Sequence, residues 1–263
     1  MNRIDKKFKD LRERDETALI TFISAGVPDL DTTKDLIISM EKNGVDIVEI
    51  GIPNARSAAD GPVIVEASKR ALESGVKISK IMDMVTELRK DTEIPLVYLV
   101  YFSSVFAYGV DRFLAKCKEV GIDGILIPDL PIEEKGEVLE ACEENEVYLI
   151  PLVTPSSEDR IGEITKNANG FVYCVAVKGV TGTRTAINED IGEYMDLVSK
   201  NTDLPKAIGF GVSTPEMAKA YKDYAEGVIV GSAIVKMLLE DKANEEIVKD
   251  VGEFVSSLKQ AIR

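Results

Sequence analysis

The sequence contains no histidine among its 263 residues. This absence excludes catalytic sites built on a histidine base, and it removes the commonest neutral ligand of metal ions. Proton transfer in an enzyme of this composition has to come from aspartate, glutamate, tyrosine, lysine or cysteine. Carboxylates are the first candidates, and we expect a site that uses neither a metal ion nor an organic cofactor.

Cysteines, positive charge and long apolar runs are also scarce. The three cysteines, Cys117, Cys142 and Cys174, lack metal-binding spacing, which favours a reducing cytoplasm over a disulfide framework. The formal net charge of −14 argues against nucleic-acid binding, and it means that local backbone groups must hold any anionic ligand. No segment resembles a signal peptide or an apolar span of about 18 residues, so we expect a cytoplasmic protein.

Short apolar runs typical of buried parallel strands alternate with longer segments of helical period. The eight predicted strands are Ala18–Ser24, Ile47–Gly51, Pro95–Val100, Gly124–Pro128, Val147–Leu152, Phe171–Val177, Ala207–Gly209 and Val228–Val230. The predicted helices are Thr32–Asn43, Ile78–Arg89, Val110–Val120, Ile132–Asn145, Glu158–Lys166, Ile191–Lys200, Pro215–Tyr224 and Glu246–Ile262. Before the first strand, Ile4, Phe8 and Leu11 mark one face of a further short helix.

This alternation predicts a (β/α)8 TIM barrel. Eight strand–helix units in about 250 residues match that fold, and no linker marks a domain boundary, so we expect one domain over residues 1–263 with an extra N-terminal helix. A doubly wound open sheet is the alternative. Its usual glycine fingerprint is missing after the first strand, where the sequence reads Ala25-Gly26-Val27-Pro28.

Glycine-rich segments follow the last three strands of the predicted barrel. They are Gly179-Val180-Thr181-Gly182, Gly209-Phe210-Gly211 and Gly231-Ser232, the last of which opens a short helix over Ala233–Leu239. Active sites of such barrels lie at the carboxyl ends of the strands, and phosphate often binds after strands seven and eight. These segments favour a phosphate site over glycines that serve only to make tight turns.

Two carboxylates fall near the same end of the barrel. Glu49 interrupts the apolar run Ile47–Gly51, where burial would raise its pKa and suit it to acid–base catalysis. A glutamate satisfied by neighbouring N–H groups is the structural alternative. Asp60 follows in Ala59-Asp60-Gly61-Pro62, and by itself this pattern favours an ordinary turn or helix-cap residue, although its place on the rim of the site supports a functional role.

These motifs together resemble the tryptophan synthase alpha subunit family nearly from end to end. The resemblance rests on Val48–Pro53, Ala59–Pro62, Phe22 with Ala25-Gly26, Pro128–Pro131, Gly179–Gly182, Gly209–Gly211 and Gly227–Ala233. It implies retro-aldol cleavage of indole-3-glycerol phosphate to indole and glyceraldehyde 3-phosphate, in complex with a pyridoxal-phosphate-dependent beta subunit as a heterotetramer.

The resemblance also assigns residues by position. Glu49 would be the general acid–base, Asp60 would stabilise the developing indole cation, and Lys178–Asn188 would form a lid in which Thr181 orients Asp60. The substrate-binding residues would be Phe22, Tyr101, Tyr173, Thr181, Gly182, Phe210, Gly211, Gly231 and Ser232.

The sequence departs from the usual family pattern after three strands. It reads Asn54-Ala55-Arg56-Ser57 where Phe-Ser-Asp-Pro is usual, Ser103-Ser104 where Asn-Pro follows the tyrosine, and Val27 where an acid is usual. Two of these departures fall on loops that the family uses against its partner. The alternatives are a free-standing or paralogous lyase on a related phosphorylated substrate, and a weakly catalytic binding or regulatory paralog.

Overall fold

A computed structural model describes residues 1–57, 59–130, 133, 135–176, 191–209 and 211–263. All of its described strands belong to one parallel sheet in the order β5-β4-β3-β2-β1-β9-β8-β7-β6. The strands are β1 (Ala18–Ser24), β2 (Ile47–Gly51), β3 (Leu96–Leu99), β4 (Gly124–Leu126), β5 (Tyr148–Leu149), β6 (Leu152–Val153), β7 (Val172–Val175), β8 (Lys206–Gly209) and β9 (Gly227–Val230).

The two ends of this sheet are halves of one strand, and this closes the barrel. The prediction of one continuous fifth strand over Val147–Leu152 is wrong. The segment forms two short strands, of which β5 bonds to β4 and β6 bonds to β7. Pro151 lies at the break and has no N–H to donate, although its carbonyl still accepts from the amide of Tyr173 at 2.9 Å. The TIM-barrel prediction is confirmed, with its fifth strand divided in two.

Side chains alternate along the strands and form two apolar layers. On β1, Leu19 and Ile23 pack outward with the helices, whereas Ala18 and Ile20 face the barrel interior. The predicted N-terminal helix, α1 (Arg3–Glu13), closes the floor of the barrel. Its Ile4, Phe8 and Leu11 join the interior cluster, and the ring of Phe8 lies 5.7 Å from that of Phe171.

The remaining helices surround the sheet. They are α2 (Leu30–Lys42), α3 (Pro62–Glu73), α4 (Ile78–Leu88), α5 (Phe102–Tyr108), α6 (Val110–Val120), α7 (Lys135–Glu144), α8 (Ile161–Thr165), α9 (Ile191–Asn201), α10 (Pro215–Tyr221), α11 (Ser232–Leu238) and α12 (Asn244–Ile262). In the described part of the chain no helix is both long and apolar enough to cross a membrane.

Two differences from the predicted helices bear on the site. The segment after β3 was expected to be a loop, but it forms α5, because the carboxylate of Asp129 accepts a hydrogen bond from the first helical amide, that of Phe102, at 2.7 Å. The predicted helix Glu158–Lys166 starts earlier as a 3-10 turn over Pro155–Arg160 and continues as α8.

Candidate active site

Glu49 lies on β2 in the wall of the barrel interior. Its neighbours in the sheet are Phe22 on β1 and Val97 on β3, and the side chain is completely buried. Neither carboxylate oxygen has a hydrogen-bond partner among the described residues. Burial without a compensating charge therefore raises the pKa of Glu49 to about 8. Glu49 can hold a proton near neutral pH and release it there.

Asp60 is half-buried at the end of the loop that joins β2 to α3. Its pKa is raised to about 6, chiefly by burial, while hydrogen bonds from the hydroxyls of Tyr101 and Ser57 oppose the shift. The phenol oxygen of Tyr101 also accepts from the amide of Ala59 at 3.1 Å. Tyr101 thus holds two consecutive residues of this loop, and Asp60 keeps a large ionised fraction at neutral pH.

Tyr173 lies on the opposite wall of the barrel, near both carboxylates. It is buried on β7, and the nearby charges of Glu49 and Asp60 add to burial in raising the pKa of its phenol. Its hydroxyl would lie 2.6 Å from a Cβ placed on Gly209, so only glycine at that strand end leaves room for it. The structure therefore brings together the two carboxylates and the tyrosine that the sequence assigned to one pocket.

Phe22 covers the barrel interior beside Glu49. Its ring fills the space above Gly51, where a Cβ would lie 2.5 Å from the ring carbon Cζ. A Cβ on Gly231 would also lie 3.2 Å from the Cβ of Phe22. Glycines at the ends of the two strands that flank β1 thus leave room for the side chain of Phe22 in the pocket wall.

The glycine residues after β8 and β9 stand at the same rim. Gly211 has a φ of +85°, a conformation that side chains rarely adopt, and Gly231 precedes α11, which starts at Ser232. Thr181, Gly182, Phe210 and the predicted lid Lys178–Asn188 lie outside the described residues.

Ser24 is a pocket residue that the sequence reasoning missed. It ends β1 two positions beyond Phe22, so it points to the same inner side, opposite Gly51. It is buried, and its hydroxyl has no partner among the described residues. The period-two alternation that marks Phe22 as inward-facing would have identified Ser24 as well.

The fold and this site are typical of a class of protein, the TIM-barrel enzymes, whose sites lie at the carboxyl ends of the strands. Over the described ranges no group of three or more Cys, Asp or Glu side chains is placed to hold a metal ion.

Comparison with known proteins identifies the family. The model of the family described as "Tryptophan synthase alpha chain" matches residues 8–263. The tryptophan synthase alpha chain of a Thermoanaerobacter species is 54% identical over the full length of both chains, and that of Clostridium kluyveri is 52% identical, also over the full length of both. This chain belongs to the tryptophan synthase alpha chain family.

Solved structures agree with this assignment. The alpha chain of Legionella pneumophila tryptophan synthase superposes with a TM-score of 0.89 at 32% identity, covering 100% of this chain and 97% of that one. A chain of Mycobacterium tuberculosis tryptophan synthase gives a TM-score of 0.90 at 31% identity, covering 100% and 98%. Both are similar to this chain over the whole barrel.

Proposed function

We propose that this chain catalyses the alpha reaction of tryptophan synthase, the cleavage of indole-3-glycerol phosphate to indole and glyceraldehyde 3-phosphate in tryptophan biosynthesis. The observation that carries the proposal is the buried carboxylate of Glu49, which has no partner among the described residues and lies near Tyr173, as Asp60 does, in a barrel of this family. Residues 1–263 would act as one catalytic domain.

The proposed chemistry moves one proton from oxygen to carbon. The protonated Glu49 donates to C3 of the indole ring, which makes the ring a cation and weakens the bond from C3 to the glycerol carbon. As that bond breaks, its electron pair returns to the ring, and the hydroxyl on the glycerol carbon becomes the aldehyde carbonyl. The ionised Glu49 takes the hydroxyl proton, so the enzyme ends in its starting state. A pKa of about 8 suits a group that must give and take the same proton.

Asp60 would stabilise the cation while the ring is protonated. A carboxylate held by Tyr101 and Ser57 can accept the indole N–H and place a negative charge beside the ring. Because Asp60 must be ionised and Glu49 protonated, we expect kcat/KM to fall below pH of about 6 and above about 8. The phosphate of the substrate has a second pKa of about 6 as well. A carboxyl ¹³C NMR titration of Asp60 therefore shows whether Asp60 or the phosphate causes the fall of kcat/KM at low pH.

The rest of the pocket would fix the orientation of the substrate. Phe22 supplies an apolar wall for the flat indole ring, and Phe210 would supply a second. Backbone N–H groups near Gly211, Gly231 and Ser232, together with Gly182, would hold the phosphate. In a chain with a net charge of −14, such local donors are the means available for binding an anion.

A tryptophan synthase beta subunit is the proposed partner, and the cytoplasm is the proposed location. Arg56 and Ser103 are exposed on neighbouring segments at the rim, and the side chain of Phe106 on α5 is 70% exposed. An exposed aromatic ring beside the catalytic mouth is a suitable contact for a second subunit.

The first test is an assay of indole release from indole-3-glycerol phosphate, with and without a beta subunit. We expect slow release by the chain alone and faster release in the complex. Efficient release that does not respond to the beta subunit would identify a free-standing lyase. No indole under either condition would overturn the proposed substrate.

The phosphate site can be tested at Gly211. Replacing Gly211 with valine should raise KM, because a branched side chain would crowd the phosphate. The matched control is Gly75→Val, since Gly75 has a similar φ of +76° and no atom within 4 Å of an added Cβ. An unchanged KM in the Gly211 variant would place the phosphate elsewhere.

A further inference from the structure

The loop that carries Asp60, residues 52–61, joins β2 to α3. Its first amide, that of Ile52, donates to the carbonyl of Leu99 at 2.9 Å and extends the sheet by one bond. In the described part of the loop beyond Ile52, the amide of Asp60 donates to the carbonyl of Ser57 at 3.3 Å, and side chains supply further hydrogen bonds. The position of the loop matters because Asp60 is near its end.

Both the nitrogen and the oxygen of the Asn54 side-chain amide form hydrogen bonds. Its nitrogen donates to the hydroxyl of Ser104 at 2.9 Å and lies 3.3 Å from that of Ser103, both in the first turn of α5. Its oxygen accepts from the amide of Arg56 at 2.7 Å, which closes a turn in the loop itself. One side chain therefore shapes the loop and ties it to a neighbouring helix.

Residues 101–104 hold this loop through a second set of hydrogen bonds, made by Tyr101. Tyr101 directly precedes α5, and its phenol holds the amide of Ala59 and the carboxylate of Asp60. Asp129, after β4, accepts from the amide of Phe102 at 2.7 Å and keeps this segment in place. The loop is thus fastened near both ends to residues 101–104, by Asn54 at the start and by Tyr101 at the end.

We propose that Asn54 is a positioning residue, whose hydrogen bond to Ser104 holds the loop in the shape that keeps Asp60 against Tyr101. The kinetic part of this inference rests on the proposed function, because it takes Asp60 as the group that stabilises the indole cation. Asn54 itself does not touch the reacting atoms. It acts through the loop, at an exposed edge of the barrel where it adds little to the core.

The main test removes the hydrogen bond between Asn54 and Ser104 by replacing each partner in turn. In Asn54→Ala and in Ser104→Ala we expect kcat for indole release to fall about tenfold while KM changes little, because a misplaced catalytic group costs rate more than binding. Ser104→Thr keeps the hydroxyl and should retain wild-type kcat. The double variant should be no slower than either single variant, since both remove one interaction.

A second readout is independent of turnover. The titration of Asp60, followed by carboxyl ¹³C NMR and assigned with Asp60→Asn, should differ from that of the wild type in Asn54→Ala, because a loosened loop changes both the burial of Asp60 and its hydrogen bond from Tyr101. Among the described residues, the groups that face Asp60 are Tyr101 after β3, Ser57 on its own loop and Tyr173 on β7, and none of them is replaced in this variant. Arg56→Ala is the matched control, because it changes the same loop and leaves the backbone amide that Asn54 binds.

Three results would overturn the inference. They are an unchanged kcat and Asp60 titration in Asn54→Ala, a Ser104→Thr variant as slow as Ser104→Ala, and losses in the two single variants that add in the double variant. A wild-type chain that releases no indole would refute the proposed function instead. The Asp60 titration would still decide the role of Asn54.

Discussion

Buried carboxylates occur at both ends of this barrel, but among the described residues only those at the amino end have cationic partners. At the amino end, Asp46 and Asp123 are almost fully buried, as Glu49 is toward the carboxyl end. Asp46 lies 2.8 Å from the ammonium of Lys259, and Asp123 lies 2.9 Å from the guanidinium of Arg89. Glu49 has no described partner at all.

The paired carboxylates of the floor also receive backbone hydrogen bonds. The amide of Leu19 donates to Asp46 at 2.9 Å, and that of Leu96 donates to Asp123 at 2.8 Å. Arg3 of α1 adds a second ion pair to Asp123 at 3.1 Å. These groups join the starts of β1 to β4 to the helices α1, α4 and α12.

The difference shows how the barrel separates stability from chemistry. A buried carboxylate with a fixed cationic partner joins distant segments of the chain, which suits the floor. A buried carboxylate without a partner exchanges its proton near neutral pH, which suits the mouth. Each prediction below changes one side of this contrast, from the largest expected effect to the smallest.

Replacing Glu49 with glutamine should abolish most of the activity. The amide has nearly the same size but cannot exchange a proton, so kcat should fall by about 10³-fold or more. Steady-state kinetics of indole release measure this, and far-UV circular dichroism serves as the control for folding. A variant with near-normal kcat would remove Glu49 from its assigned role.

Replacing Asp60 with asparagine should cost about 10²-fold in kcat, because the charge that stabilises the indole cation is lost. The variant keeps an acceptor for the hydroxyl of Tyr101, so the loop should stay in place. Single-turnover kinetics separate this loss from slow product release. Wild-type behaviour would return Asp60 to the role of a turn residue.

Replacing Lys259 with methionine should destabilise the floor without affecting the chemistry. Among the described cations, Lys7 then remains beside the buried Asp46, with its ammonium 3.6 Å away. The free energy of unfolding should therefore fall by about 3 kcal/mol. Urea denaturation measures the loss, and kcat well below the transition should be unchanged. Adding Asp46→Asn, which removes the charge and keeps an oxygen that can accept from the amide of Leu19, should restore much of the stability; if it does not, the loss comes from the other contacts of Lys259.

The pH dependence of the free energy of unfolding should reveal the raised pKa of Glu49. Because the folded pKa of Glu49 is about 8, above that of an unfolded glutamate, the folded chain binds one more proton at intermediate pH. The stability from neutral Glu49 is complete below the ordinary glutamate range and is lost as pH rises toward 8. Glu49→Gln should therefore match the wild type near pH 4 and exceed it increasingly up to about pH 8. Urea midpoints across this range test it, and a constant difference would contradict the raised pKa.

The site was predictable to the extent that it depends on local pattern. A single acid in the apolar run of β2 marked Glu49, and the position of Gly211 after a strand end followed from the order of strands, whereas Tyr173 was assigned only by the family resemblance. Contacts across the rim were not predictable. Asn54 meets Ser104 from 50 positions away, and α5 depends on a cap from Asp129, 27 positions beyond Phe102. The division of the fifth strand was not predictable either, because it depends on which neighbouring strand each half bonds to.

The sequence by itself determined the barrel, the inner and outer faces of its strands and the acids in its wall, because hydrophobic period and strand order are carried by neighbouring residues. Only the tertiary structure decided which buried acids are paired. Asp46 and Lys259 are 213 positions apart and meet because α12 returns to the floor, whereas no described group reaches Glu49. Long-range packing therefore set which carboxylates hold the fold and which are free to exchange protons.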